Sequence, residues 1–257
     1  SAVLSIALTG VCRIAARKAS DMTGHLLIEI SSGRFQISAF NGKQQLTVSL
    51  LPQSYGLEGI GDQYCVQAAK FGQIMDSLPR NAEVTLERNE TMLSITSGKS
   101  RFNLVTLPAD KFPHAESFHT DFPFQTSISS GLLSSGLRQV GFCASRNDVR
   151  TALNGVCFDF EPSHLSLAAT DGYRMGVVDL ALEPGFTQEF ILPSTSIEDV
   201  AAFCNEGDVE ISFNSKVARF SKPLGVLYTK LVDGAFPDYK VLLAKFSKGD
   251  VAKVSRA

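Results

Sequence analysis

The chain has 257 residues, 44% of them hydrophobic and 19% charged, with a formal net charge of −2. This composition excludes disordered, collagen-like and fibrous proteins. It also excludes nucleic-acid binding through global basicity, so any basic surface has to be local. The five cysteines are scattered without a Cys-x-x-Cys pair and no histidine stands at ligand spacing from them, which points away from a zinc site and from a disulfide framework. The apolar start from Ser1 to Leu8 lacks a basic n-region, and no apolar run approaches the roughly 18 residues of a membrane span. The expected location is the cytoplasm.

The first predicted element is an amphipathic helix with Leu4, Leu8, Val11 and Ala15 on one face. Alternating strands follow at about 25–31, 34–40 and 45–51, the first two joined by a Ser31-Ser32-Gly33 turn. A second helix over about 67–78 carries Phe71, Ile74, Met75 and Leu78, and strands near 82–87, 91–97 and 101–107 complete the series. Further helices are expected near 129–145 and 195–204. Gly136 and Gly141 weaken the former by about 1 kcal/mol each relative to Ala, so packing has to hold it.

The chain repeats itself. The stretch Leu107 to Pro113, ending in Phe112-Pro113, returns as Leu231 to Pro237, ending in Phe236-Pro237, 124 residues on. Ala82 to Leu86 returns as Gly207 to Ile211 at an offset of 125. Leu26 to Ile30 and Ala39 to Gly42 return as Val156 to Phe160 and Ala169 to Gly172 at an offset of 130. Leu4, Leu8, Val11 and Arg17 match Leu133, Leu137, Val140 and Arg146 at an offset of 129. Collinear matches of this kind define two α+β units, 1–118 and 119–244, with 245–257 as the start of a third. The first unit lacks a leading strand, and the chain is expected to be a window on a longer protein.

No catalytic constellation stands out. Gly98-Lys99-Ser100 is a hairpin turn rather than a phosphate loop, because Leu93 stands where the loop needs glycine. Neither G-x-S-x-G nor H-E-x-x-H occurs, and the four histidines fit solvated or structural places. A charge pattern remains. Residues 1–20 hold Arg13, Arg17 and Lys18 without an acid, and 127–147 hold Arg138 and Arg146 without an acid. Both stretches are the first helix of their unit. If equivalent helices lie side by side, they line a basic track suited to a phosphate backbone without base readout.

Thr96 to Phe102 followed by Leu107-Pro108-Ala109-Asp110-Lys111-Phe112-Pro113 resembles the first-domain ending of the bacterial sliding clamps, the beta subunits of DNA polymerase III. Asp148-Val149-Arg150, Leu153-Asn154-Gly155-Val156, Ala169 to Arg174 and Lys230 to Tyr239 resemble their second domain. The likeness implies repeated processivity-fold domains, each α+β with two helices on one face and antiparallel sheets on the other. It implies a non-enzymatic ring with neither cofactor nor metal, closed as a homodimer of full-length chains around duplex DNA. Its other partners would be the polymerase III catalytic subunit, the clamp loader and further proteins with a clamp-binding motif.

By the same resemblance the DNA-facing residues are Arg17, Lys18, Arg146 and Asn147. The partner-peptide groove is Leu153, Thr170, Gly172, Tyr173, Arg174, Met175, Pro237, Val241 and Leu242. The ring interface is Lys70, Ile74, Phe102 and Leu104, the last two at alternate positions of one strand and so on one face. The chain departs from the family at Lys18-Ala19-Ser20, where Arg-Pro-Thr is common, at Tyr173, where His is usual, and at Thr151-Ala152, where tyrosine is frequent. Most of a third domain, which would supply part of the groove and the other half of the ring interface, is expected to lie outside this sequence. Two repeats also suit the two-domain trimeric clamp of eukaryotes and archaea, and an α+β enzyme or a structural repeat protein are the readings from other classes.

Overall fold

The computed structural model describes residues 2–15, 21–31, 34–50, 61–79, 82–113, 118 and 121–246, with the side chains of 2–7 and 246 left aside. The first unit runs α1 (Ala2–Ile14), β1 (His25–Ser31), β2 (Arg34–Phe40), β3 (Gln44–Leu50), β4 (Asp62–Gln67), α2 (Ala68–Ser77), β5 (Thr85–Asn89), β6 (Met92–Ser97) and β7 (Ser100–Pro108). The second runs β8 (Phe124–Ser129), α3 (Ser130–Val140), β9 (Gly155–Glu161), β10 (His164–Thr170), β11 (Met175–Ala181), β12 (Gln188–Pro193), α4 (Ile197–Phe203), β13 (Asp208–Phe213), β14 (Val217–Lys222) and β15 (Gly225–Lys230). A fifth helix, α5 (Tyr239–Phe246), follows and spans the boundary expected after residue 244.

Helical burial follows the predicted period. Leu8, Val11, Ile14 and Ala15 of the first stretch are buried, as are Leu133, Leu137 and Val140 of α3. The α3 helix stops at Val140 and continues as a 3-10 turn over Gly141–Cys143, short of the expected residue 145. Its glycines have a use in packing. A Cβ on Gly136 would stand 3.0 Å from Leu167 Cδ1, and one on Gly141 3.0 Å from Ile197 Cγ2. These two glycines, one in α3 and one in the turn after it, stand where side chains of β10 and α4 come close.

Three elements escape the sequence pattern. In β4 the residues Tyr64, Cys65 and Val66 are buried in succession, and in β12 Phe190, Ile191 and Leu192 are. Both faces of these strands are covered, so the alternation that marks a half-exposed strand is lost. In α5, Val241, Leu242 and Leu243 are all at least 38% exposed, so no buried stripe announces a helix.

The two units share one sheet. Eleven strands run in the order β5-β6-β7-β4-β1-β2-β3-β15-β14-β13-β8, and β11-β10-β9-β12 form a second sheet. The seam is the antiparallel pairing of β3 with β15, with Val48 opposite Gly225, Leu46 opposite Leu227 and Gln44 opposite Thr229. Below it α1 packs against both α2 and α4. Arg13 Nε lies 3.2 Å from Asp199 Oδ1 across this helix contact. Burial raises the pKa of Asp199, and the Arg13 charge opposes that shift.

On the opposite face of the seam Phe118, 1% exposed, covers the junction. Its ring stacks on Tyr228 of β15 at 5.5 Å and meets Phe40 of β2 edge-on at 6.2 Å. The second unit's interior is built from phenylalanine, with centroid separations of 4.6 Å for Phe158–Phe190, 4.8 Å for Phe190–Phe213 and 5.1 Å for Phe160–Phe213. All five cysteines are free thiols, and burial pushes Cys65 and Cys204 up to about 12, which keeps them protonated and inert.

Gly155 opens β9 where a Cβ would stand 2.4 Å from the Leu192 carbonyl oxygen and 2.6 Å from Ile191 Cγ2. Gly155→Ala is expected to destabilise the chain by about 1–3 kcal/mol through overpacking. Gly131→Ala, on the open side of α3, should stabilise by under about 1 kcal/mol. Urea unfolding of both variants checks the contrast.

Candidate functional site

Two short loops of the second unit carry most of the polar site candidates, and each is organised around one aspartate. The first follows the 3-10 turn after α3. Ser145 N–H donates to the Leu153 carbonyl at 2.9 Å. Asn154 accepts from Asp148 N–H at 2.7 Å and donates its amide back to the Asp148 carbonyl at 2.9 Å. Asp148 in turn receives Arg150 through the backbone N–H at 2.8 Å and through Nε and Nη2 at 3.0 Å each. Arg146 and Asn147 lie exposed on this fastened loop.

The second loop turns from β10 into β11. Thr170 Oγ1 donates to the Arg174 carbonyl at 2.7 Å and accepts from Gly172 N–H at 3.1 Å. Asp171 accepts from the backbone N–H groups of Tyr173 and Arg174 and from Arg174 Nε, each at 3.0 Å. Gly172 has φ +88°, and a Cβ there would stand 3.1 Å from Arg150 Nη2. Arg174 is thus held by Asp171 while its guanidinium lies 5.4 Å from the centre of the exposed Phe142 ring. Tyr173, at the position where the resemblance leads one to expect His, is 99% exposed.

A small hydrophobic cluster joins these loops to the end of the unit. It contains Cys157, Ala168, Ile191, Phe236 and Tyr239, with Ala152, Met175, Val177 and Val232 packed against it. Thr151 Oγ1 donates to the Asp233 carbonyl at 3.2 Å, which ties the first loop to the stretch before Pro237. The three stretches named from the sequence therefore converge. Their members have different parts. Leu153 and Thr170 are buried, at 2% and 9% exposure, and support the loops from beneath rather than offering contact surface. Met175 is half-buried, Gly172, Arg174 and Pro237 are exposed, and Val241 and Leu242 present 50% and 38% of their surface.

The first unit has an equivalent place, and there the chain fills it. By the repeat, Phe118 stands where Leu242 does and Phe40 where Thr170 does. Phe112, like Phe236, anchors a satellite cluster, with Leu27 and Cys65. Phe118 is buried between the units, whereas Leu242 is open. No sequence signal beyond the repeat itself identifies this plug.

The residues of the basic track are placed as follows. Arg13 is engaged with Asp199, and Arg17 and Lys18 lie outside the described residues. Arg138 and Arg146 remain exposed on the second unit. Of the candidate ring-interface residues, Lys70 is exposed, Ile74 and Phe102 are half-buried, and Leu104 is buried at 7%. Leu104 packs with the first unit's own core, on the strand that also carries Phe102. Two open cavities of about 400 and 410 Å³ lie elsewhere, on the faces of β5–β7 and beside the β3–β15 seam. Among the described residues no group of His, Cys, Asp and Glu is placed to hold a metal ion, and no helix is long and apolar enough to cross a membrane.

Two family models match the chain: the DNA polymerase III beta subunit N-terminal domain over residues 3–116 and its central domain over 127–238. The beta sliding clamp of Vibrio cholerae is 31% identical over 232 residues, covering 88% of this chain and 62% of that protein. A Pseudomonas aeruginosa sliding clamp solved with griselimycin superposes with a TM-score of 0.85 at 25% identity, over 93% of this chain and 64% of that one. A Helicobacter pylori beta clamp solved with a DNA ligase peptide has the same fold, with a TM-score of 0.81 at 20% identity over 94% of this chain and 67% of that one. The chain thus spans about 60% of the length of the curated relatives that it matches.

The loop chemistry generates a pH expectation. Asp148 is held at about 2, chiefly by the Arg150 side-chain hydrogen bond and then by the Arg150 N–H. A depressed carboxylate stabilises its loop fully above its unfolded value of about 3.9, and that contribution fades as pH falls through the folded value. Carboxyl NMR titration should place the Asp148 midpoint near 2, and Arg150→Ala should return it toward about 3.9.

Proposed function

The chain belongs to the beta sliding clamp family, the beta subunits of bacterial DNA polymerase III, and from that premise we propose that it is two domains of a non-catalytic processivity factor. In the full ring it encircles duplex DNA in the cytoplasm and tethers the replicative polymerase and other partners through a peptide groove on the second domain. The clamp loader would place it on DNA.

The observation that carries this reading is the seam. Domain-sized units joined edge to edge, strand on strand and helix on helix, extend naturally into a closed ring. The first unit repeats the same joining surface at its other end. β7 occupies the place of β15, with Phe102 at the position of Leu227 and Leu104 at that of Thr229, two residues that are fully buried at the seam. Among the described residues, 100–105 of β7 pair only with β6, so their other edge is open to a further strand. On α2, the helix that follows β4 as α4 follows β12, Lys70 is exposed and Ile74 half-buried. That surface supports ring closure between chains.

The groove supports peptide capture. Exposed Leu242 and Val241, half-buried Met175 and the rigid Thr170–Arg174 turn offer apolar seats beside fixed polar groups. Arg174 lays its stem over apolar surface and keeps its head polar. Binding in such grooves concentrates in one or two buried anchors. A synthetic peptide ending in Leu-Phe is expected to bind this chain in calorimetric titration, and Met175→Asp to weaken it at least about tenfold with unchanged circular dichroism. Binding indifferent to Met175→Asp overturns the groove assignment.

The DNA contact is expected to be weak, sequence-independent and salt-sensitive. Replacing Arg17, Lys18 and Arg146 by Gln in the full-length protein should slow loading onto primed DNA without unfolding. It should also lower the salt slope by about 0.9 for each phosphate that is no longer neutralised. Loading that is unchanged at physiological salt overturns the basic track.

A further inference from the structure

The outer face of the four-stranded sheet changes character along its strands. Toward the groove it is apolar, with Cys157, Ala168, Val177 and Ile191 in register. Two residues further along each strand it becomes acidic, a row of Asp179, Ser166, Asp159 and Glu189. The first turn of α5 straddles this change. The Tyr239 ring packs in the apolar cluster, 5% exposed, and its hydroxyl donates to Asp159 Oδ2 at 2.9 Å. Lys240 Nζ sits 2.7 Å from the same Oδ2 and also contacts Glu161.

We propose that Asp159 is a positioning residue of the peptide groove, holding α5 through Tyr239 and Lys240 so that Val241, Leu242 and the preceding Pro237 keep the place a partner peptide requires. Sequence separation hides this link, since Asp159 and Tyr239 are 80 residues apart. The physical need for it is plain. α5 has eight residues, too short to be stable on its own. Its Val241, Leu242 and Leu243 face solvent and contribute little burial to hold it. Beside the Asp238 cap, whose Oδ1 accepts from Val241 N–H at 3.1 Å, it is held by Tyr239 in its cluster and by a charge-assisted bond to a carboxylate that is 12% exposed. Removing that carboxylate leaves Lys240 facing Glu161 alone and the Tyr239 hydroxyl without its acceptor. The acidic row explains the choice of a cation at position 240, because an apolar side chain there would leave Asp159 without a counter-charge.

This inference rests on the groove reading, and the experiment separates the two. The 257-residue chain and its Asp159→Ala, Tyr239→Phe and Lys240→Met variants are titrated with the Leu-Phe-ending peptide, and amide exchange of 239–246 is measured by NMR. Glu206→Gln, on an exposed loop remote from the groove, is the control. Asp159→Ala is expected to weaken binding at least about tenfold and to speed exchange of the α5 amides, with β9 and β10 protection unchanged. Tyr239→Phe and Lys240→Met should each give part of that loss, and they carry the test should Asp159→Ala fail to fold. Unchanged affinity, or lost affinity with α5 protection intact, overturns the proposal. If the wild-type chain binds no such peptide, the groove reading fails, and α5 exchange alone decides whether Asp159 holds the helix.

Discussion

The pairing of β3 with β15 is the constraint on which the molecule depends. Backbone hydrogen bonds between the units leave little freedom in their relative angle, because a slip of one residue would turn Leu46 and Leu227 out of the core. With that angle set, α1 lies against α4, and Arg13 finds Asp199. A partly buried ion pair adds little net stability. Its geometry nonetheless fits only one arrangement of the two units. The same seam makes the seat into which Phe118 inserts, since Phe40 comes from one unit and Tyr228 from the other.

The second unit solves a different problem, which is to keep exposed loops rigid. Each site loop closes on an aspartate that takes backbone and guanidinium donors together, so Arg150 and Arg174 are fixed without being buried. Short loops of this kind lose little freedom when a ligand arrives, because their order is already built in. α5 extends the principle to a helix, which is docked by a side-chain network instead of an apolar stripe.

Much of this architecture was legible in the sequence. Apolar periodicity placed α1, α2 and the β1–β2–β3 meander closely and overran the end of α3. Elements were lost where burial is two-sided, as in β4 and β12, or nearly absent, as in α5. In both cases the periodic contrast that marks an element disappears. The site stretches were legible through resemblance, and their convergence is visible in the Met175–Phe236–Tyr239 cluster. Their individual parts were not. Only packing reveals that Leu153 and Thr170 are buried beneath their loops and that Arg13 belongs to a junction. Bonds such as Asp159 to Tyr239 join residues far apart in sequence and leave no local signature.

The burial of Phe118 makes the two copies of the fold unequal. Duplicated domains bring duplicated positions, and Phe118 and Leu242 are such a pair. In the first unit Phe118 is buried against Phe40 and Tyr228. In the second, the corresponding Leu242 stays at the rim. The same position of the repeat is therefore closed by an aromatic side chain in one copy of the fold and left open in the other, so the two copies do not present equal surfaces.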